Sequence, residues 1–211
     1  MIIEIFQDTI CPWCRIGKKH LFDAIRQWDG EPVTIRYRAY QLNPDTPKEG
    51  LPFWDTMAAM KGGRDVVERM VQHAANAGEA AGVPFRFDRV KMWPNTYASH
   101  TLIKLAPPEK ATDLVDAIFQ AYFEEGKDIG SLDVLAAIAV SQGMDADWVR
   151  SQLVSDAKRE EIAEDLAYAR ELNITGVPFF IIDGKLALSG AHPADNFLQA
   201  FRQATDMSTL Q

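Results

Sequence analysis

Residues 2–14 read Ile2-Ile3-Glu4-Ile5-Phe6-Gln7-Asp8-Thr9-Ile10-Cys11-Pro12-Trp13-Cys14, and this stretch decides the fold. Ile2 to Phe6 is apolar and rich in β-branched residues, interrupted only by Glu4, which predicts a largely buried strand. Thr9 and Ile10 lead into the cysteine motif, where Pro12 suits the first turn of a helix because its missing N–H would be unpaired there anyway. From Trp13 to Trp28 the residues Ile16, Leu21, Phe22, Ile25 and Trp28 recur at helical spacing, and Asp29-Gly30 ends the run. Val33, Ile35, Tyr37 and Ala39 then alternate with Thr34, Arg36, Arg38 and Tyr40, a second strand. Strand, helix, strand is a βαβ unit whose strands lie parallel in one sheet.

Further along, Asn43 to Pro52 reads as a loop, and strand patterns then disappear for well over a hundred residues. Helical patterns follow one another at Phe53–Met60, Asp65–Ala81, Asn95–Leu105, Lys110–Glu124, Leu132–Gln142, Asp147–Leu153 and Asp156–Leu172. Ser131 and Ser155 stand where N-caps are expected. Strand character returns after Pro178 with Phe179-Phe180-Ile181-Ile182, a two-residue hairpin signal at Asp183-Gly184, and Leu186-Ala187-Leu188. Gly190 and Pro193 introduce a last helix carrying Phe197, Leu198 and Phe201. The expected architecture is α/β: a thioredoxin-like fold (βαβ…ββα) split by a large all-helical insertion domain. Its parts are residues 1–48, 49–174 and 175–211.

Cys11 and Cys14 are the only cysteines in the 211 residues. Two cysteines placed at random in such a length fall three apart about 1% of the time. No second pair exists to complete a four-ligand zinc site, and His20, His73, His100 and His192 are dispersed, so no metal is expected. A disulfide closing so short a loop removes little chain entropy. Redox chemistry is the remaining reading. The formal charge of −8 and the lack of a basic patch argue against nucleic acid, and no apolar run approaches the roughly 20 residues a membrane span needs. The N-terminus lacks a basic start and is broken by Glu4, so it does not read as a secretory leader. If the chain is the full translation product, a cytoplasmic protein is expected.

With Cys-x-x-Cys opening the first helix, the chain resembles the DsbA-like branch of the thioredoxin superfamily. Gly176-Val177-Pro178-Phe179-Phe180-Ile181-Ile182-Asp183-Gly184, continuing through Ser189-Gly190-Ala191, is similar to its FrnE-type, mostly cytoplasmic members. Pro94-Asn95-Thr96, with Ala98 and His100 following, is similar as well, and Gln41-Leu42-Asn43-Pro44 is a weaker match. The resemblance spans nearly the whole chain. It implies a cis Pro178 packed against the sulfurs and a Val177 backbone that pairs with substrate. An ordinary trans proline at a strand start is the alternative.

Disulfide exchange needs an ionised thiol that attacks a sulfur in line and a second thiol that resolves the mixed disulfide. Cys11, ahead of the helix, is expected to be the exposed nucleophile, stabilised by unpaired amides and the positive helix end; Cys14, within the first turn, is the resolving thiol. Pro12 and Trp13 tune the pair, and Trp13 either touches substrate or covers the sheet edge. Asn95 and His100 are secondary candidates, His100 being either an acid–base group or a hydrogen-bonded structural residue. Phe53, Trp54, Met57, Met60, Met92 and Trp93 either line a groove or form core.

Thioredoxins carry a buried acid on the strand six residues before the first cysteine. Ile5 holds that position here, and Glu4 alternates to the other face. Water or a group from the inserted domain would then have to take the proton. No cofactor is expected beyond a redox-active Cys11–Cys14 disulfide. Substrates would be protein or small-molecule disulfides and dithiols, with glutathione a possible co-substrate. The competing reading is a glutathione-dependent isomerase of the 2-hydroxychromene-2-carboxylate type or a kappa-class glutathione transferase, in which a Ser stands at the position of Cys11.

Overall fold

The computed structural model describes residues 1–209, with side chains through residue 207, so the end of the segment 175–211 lies outside the described residues. In chain order the elements are β1 (Ile2–Gln7), α1 (Pro12–Gln27), β2 (Thr34–Ala39), β3 (Leu51–Pro52), α2 (Phe53–Lys61), α3 (Arg64–Ala81), β4 (Met92–Trp93) and α4 (Tyr97–Leu105). They continue as α5 (Pro108–Phe123), α6 (Leu132–Ser141), α7 (Ala146–Val154), α8 (Arg159–Glu171), β5 (Phe179–Ile182), β6 (Leu186–Ser189) and α9 (Ala194–Thr209).

One sheet runs β2-β1-β5-β6. β1 and β2 are parallel, with Ile5 opposite Tyr37, as the βαβ reading requires. β5 is antiparallel to β1, with Ile5 opposite Phe180, so the chain, which left the sheet from β2, returns on the other side of β1. The alternation of β1 sorts its side chains. Ile3 and Ile5 face a core shared with Leu21 of α1, Phe180, and Phe197 and Phe201 of α9. Phe6 faces the other way, packing with Ala169, Ile174 and Ile181. A helix therefore covers each face, α1 and α9 on one side and α8 on the other.

Several sequence expectations are corrected. β3 and β4 form a two-stranded antiparallel pair, Leu51 opposite Trp93, within the segment read as wholly helical. Strands of two residues carry no periodicity to detect. Ser155 does not open α8; its N–H bonds the Ser151 carbonyl at 3.1 Å and closes α7, while α8 starts after Lys158. Ser131 does stand at the N-cap of α6, though without a side-chain cap bond, whereas Asp145, not anticipated, caps α7 by accepting from the Trp148 N–H at 2.8 Å. The hairpin pairs Ile182 with Leu186, so its connection is Asp183-Gly184-Lys185, with Asp183 and Gly184 at φ 50° and 66°. Of the apolar candidates at the β3–α2 corner, Phe53, Met57 and Trp93 are buried core, with the Phe53 ring stacked on Trp93 at 6.1 Å, whereas Trp54 and Met92 are partly buried and Met60 is exposed.

Asp165 anchors α8 to the sheet. It is 1% exposed, and its carboxylate accepts from the Ala39 N–H at 2.8 Å, Arg38 at 2.9 Å and Lys104 of α4 at 2.5 Å. Arg38 also pairs with Glu4 of β1, at 2.8 Å through its Nε. Removing Asp165 leaves Lys104 without its counter-charge and the Ala39 N–H without its acceptor, with Arg38 held by Glu4 alone, which outweighs the modest net worth of the pairs themselves. Asp165→Ala should therefore destabilise the protein by about 3 kcal/mol in urea unfolding. A change below about 0.5 kcal/mol, the range of ordinary surface substitutions, would show that α8 is held by its apolar contacts alone.

Candidate active site

β1 ends at Gln7, and Asp8 to Ile10 form the turn that delivers Cys11 to the start of α1; the Cys11 N–H bonds the Asp8 carbonyl at 3.0 Å. Cys11 is the N-cap, extended at φ −91° and ψ 114°, with Pro12 at the first helical position. Its carbonyl accepts from the Cys14 N–H at 3.1 Å, which fixes Cys14 in the first turn beside it. Neither cysteine is in a disulfide.

The loop before β5 closes the site from the other side. The Val177–Pro178 peptide is cis, and the Val177 carbonyl lies 3.5 Å from Cys11 Sγ, which donates to it. Cys11 was expected to be exposed, yet it is 4% exposed and Cys14 1%. The reason is this loop, which occupies the space in front of the sulfur. Trp13 is half-buried and packs its ring against His73 of α3, centroids 5.3 Å apart, so it bridges to the helical segment.

Burial pushes the Cys14 thiol well above its ordinary value of 9.0; the hydrogen bond and charge of Cys11 act in the same direction, and the charge of Asp8 adds to them. Only the backbone of Asp8, hydrogen-bonded to the Cys14 sulfur, works the other way. Cys14 is thus held as a protonated thiol that donates to Cys11.

The secondary candidates fall in two places. Asn95 lies before α4, where its Oδ1 accepts from the Tyr97 N–H at 2.9 Å and from Gln41 at 3.4 Å, and its Nδ2 donates to the Thr46 carbonyl at 2.6 Å. These bonds pin the loop after β2 to the start of α4. Asn95 also lines a cavity of about 730 Å³ with Gln41, Leu132, Leu153 and Ile162. His100, by contrast, points inward, 2% exposed, with Nε2 3.0 Å from the Tyr40 carbonyl and 3.4 Å from Asp8 Oδ1.

Asp8 is the residue that the sequence reading overlooked. It is 0% exposed; Oδ2 accepts from the Leu42 N–H at 2.7 Å, and Oδ1 has no hydrogen-bond partner among the described residues. The search for a buried acid stopped at the strand position of Ile5. The available signal was an Asp in the turn itself, three residues before Cys11.

The chain matches the model of the DSBA-like thioredoxin domain over residues 2–202, and it belongs to that family. It is 28% identical over 200 residues to the uncharacterized protein YwbO of Bacillus subtilis (strain 168), covering 94% of each chain. The crystal structure of the probable DsbA oxidoreductase SCO1869 from Streptomyces coelicolor superposes with a TM-score of 0.90 at 29% identity, over 98% of this chain and 90% of that one. At lower identity the likeness is one of fold. The cytosolic disulfide reductase DsbM from Pseudomonas aeruginosa gives a TM-score of 0.70 at 16% identity, over 98% of this chain and 100% of that one. A 2-hydroxychromene-2-carboxylate isomerase gives 0.70 at 17%, over 100% and 96%. Among the described residues no helix is long and apolar enough to cross a membrane.

The raised Cys14 thiol has a consequence for stability. Above about pH 9 the unfolded dithiol chain releases the Cys14 proton while the folded chain retains it. Stability is therefore whole below that pH and falls above it, by at most about 1.4 kcal/mol per pH unit. Thermal unfolding of the reduced protein should show a steeper alkaline decline for wild type than for Cys14→Ala. Parallel declines would refute the assignment.

Proposed function

We propose that this protein is a thiol–disulfide oxidoreductase of the FrnE-type cytoplasmic branch, exchanging disulfides through Cys11 and Cys14. The observation that carries the reading is the placement of Cys11 Sγ at the N-cap of α1, 3.5 Å from the Val177 carbonyl, with the Cys14 thiol donating to it. Cys11 attacks a substrate disulfide and forms a mixed disulfide; Cys14 then displaces the second half. The Val177 backbone, occupied by the Cys11 thiol in the free dithiol protein, becomes available to an extended substrate once that sulfur has reacted.

In a reducing compartment net reduction or isomerisation is the expected direction. Glutathione is the simplest electron donor, and the structure of DsbM with GSH shows the same fold beside that ligand (TM-score 0.66, 16% identity, over 100% of this chain and 98% of that one). The isomerase fold does not by itself discriminate, but a glutathione-activating site has no use for a resolving thiol hydrogen-bonded to its nucleophile. The cysteine pair thus favours exchange over isomerisation.

Insulin reduction with glutathione as donor tests this. Cys11→Ser should lose at least about 100-fold in rate, in line with loss of a covalent nucleophile. Cys14→Ala should instead accumulate a mixed disulfide detectable by mass spectrometry. Equal rates for wild type and Cys11→Ser would remove the proposal, and turnover of a chromene substrate that survives Cys14→Ala would replace it with the isomerase.

A further inference from the structure

Resolution of the mixed disulfide needs the Cys14 proton removed, yet Cys14 is 1% exposed and its thiol is held protonated by burial. The strand position that carries the acid in thioredoxins is Ile5, which is 1% exposed and apolar. Solvent is therefore excluded and the expected base is absent from that strand.

Asp8 occupies the vacated role from a different point on the backbone. Its main chain bonds both halves of the motif: the carbonyl accepts from the Cys11 N–H at 3.0 Å, and the backbone hydrogen-bonds the Cys14 sulfur. Of its two carboxylate oxygens, Oδ2 is committed to the Leu42 N–H, whereas Oδ1 is buried with no hydrogen-bond partner among the described residues. A buried carboxylate oxygen without a donor is costly to leave so, and a redox or catalytic role is one of the reasons such an atom persists.

The groups that face this carboxylate are few. Cys14 approaches from α1. His100 approaches from α4, with Nε2 at 3.4 Å, and Tyr122 approaches from α5, buried and raised partly by the charge of Asp8. A carbonyl can only accept, so His100 Nε2, the ring atom beside Asp8, carries its proton toward Tyr40 and cannot take another. Tyr122 donates its hydroxyl to the Met92 carbonyl at 3.0 Å. Asp8 Oδ1 is the acceptor among these groups that has no hydrogen-bond partner among the described residues.

We infer that Asp8 Oδ1 accepts the proton of Cys14 in the resolving step, with the His100 N–H as the neighbouring positive edge of the carboxylate. The inference rests on the exchange reading above. The Cys14 S–H bond breaks and its proton passes to the Asp8 carboxylate, directly or through one water. The Cys14 sulfur attacks Cys11, forming the Cys11–Cys14 bond and breaking the bond between Cys11 and the substrate sulfur. That sulfur leaves with the electron pair and is protonated in turn. The protein dithiol is oxidised by two electrons and the substrate disulfide reduced to two thiols. In the opposite direction Asp8 returns the proton to Cys14.

The two steps separate in stopped-flow fluorescence when the reduced protein is mixed with excess oxidised glutathione. Formation of the mixed disulfide scales with glutathione concentration; its resolution by Cys14 does not. Asp8→Asn should slow resolution about 100-fold or more at neutral pH, the lower range for loss of a general base, and leave formation within about two-fold. The deficit should shrink as pH rises and Cys14 ionises unaided. The pH profile supplies a second readout: unaided ionisation of Cys14 makes resolution rise about tenfold per unit, as expected of Asp8→Asn, whereas wild type should rise less steeply. A tenfold rise in wild type, or a pH-independent loss in Asp8→Asn that affects both steps equally, overturns the assignment. Absence of any glutathione-dependent step would instead overturn the exchange reading itself.

Discussion

Gly17, one turn beyond Cys14 on α1, lies directly beneath Pro178. A Cβ at this position would come within 2.9 Å of Pro178 Cγ and 3.1 Å of the Phe180 ring. Neither neighbour has room to yield, since Pro178 is a ring at the start of β5 and Phe180 is fully buried against Phe197. The absence of a side chain is what allows the helix carrying both cysteines to close onto the loop that carries Val177, and the contact of 3.5 Å between Cys11 Sγ and the Val177 carbonyl depends on that approach. The arrangement of the cysteine pair against Val177 is thus set by a packing distance between two segments 166 residues apart, rather than by the motif alone.

Burial at this junction decides the electrostatics. The same closure that brings the loop to Cys11 removes water from Cys14, and desolvation outweighs the favourable bond from the Asp8 backbone. The pair is therefore asymmetric: one sulfur lies at a helix terminus against a backbone carbonyl, the other beneath it as a thiol. A site dry enough to hold Cys14 protonated needs an internal acceptor, and the buried turn between β1 and α1 is where a carboxylate stands.

The inserted helices are tied to this junction rather than appended to it. Thr9 hydrogen-bonds Ser99 of α4 at 2.8 Å, His100 reaches both Asp8 and the Tyr40 carbonyl, and Trp13 rests on His73 of α3. On the far face, Asp165 of α8 holds Arg38 and the Ala39 amide of β2. The sheet, the cysteines and the helical segment are consequently parts of one packed unit, and the apolar cluster that includes Ile5 and Cys14 continues into α4 and α5 through Leu102 and Ile118.

Local pattern was enough for much of this. The apolar run at Ile2–Phe6, the alternation at Val33–Tyr40, the helical spacing after Trp13, and the Cys11–Cys14 interval determined the βαβ unit and the place of the cysteine pair, because each depends on neighbours within a turn or a strand. The resemblance of the Gly176–Gly184 segment to DsbA-like proteins pointed to the cis form of Pro178. Three things were settled only by the tertiary structure. The two-residue strands β3 and β4 exist because Leu51 and Trp93 meet across forty residues. Cys11 is buried because a distant loop covers it. Asp8 is an active-site candidate because β1, α1, α4 and α5 together exclude water from it. Burial is a sum over segments remote in the chain, and no window of sequence contains that sum.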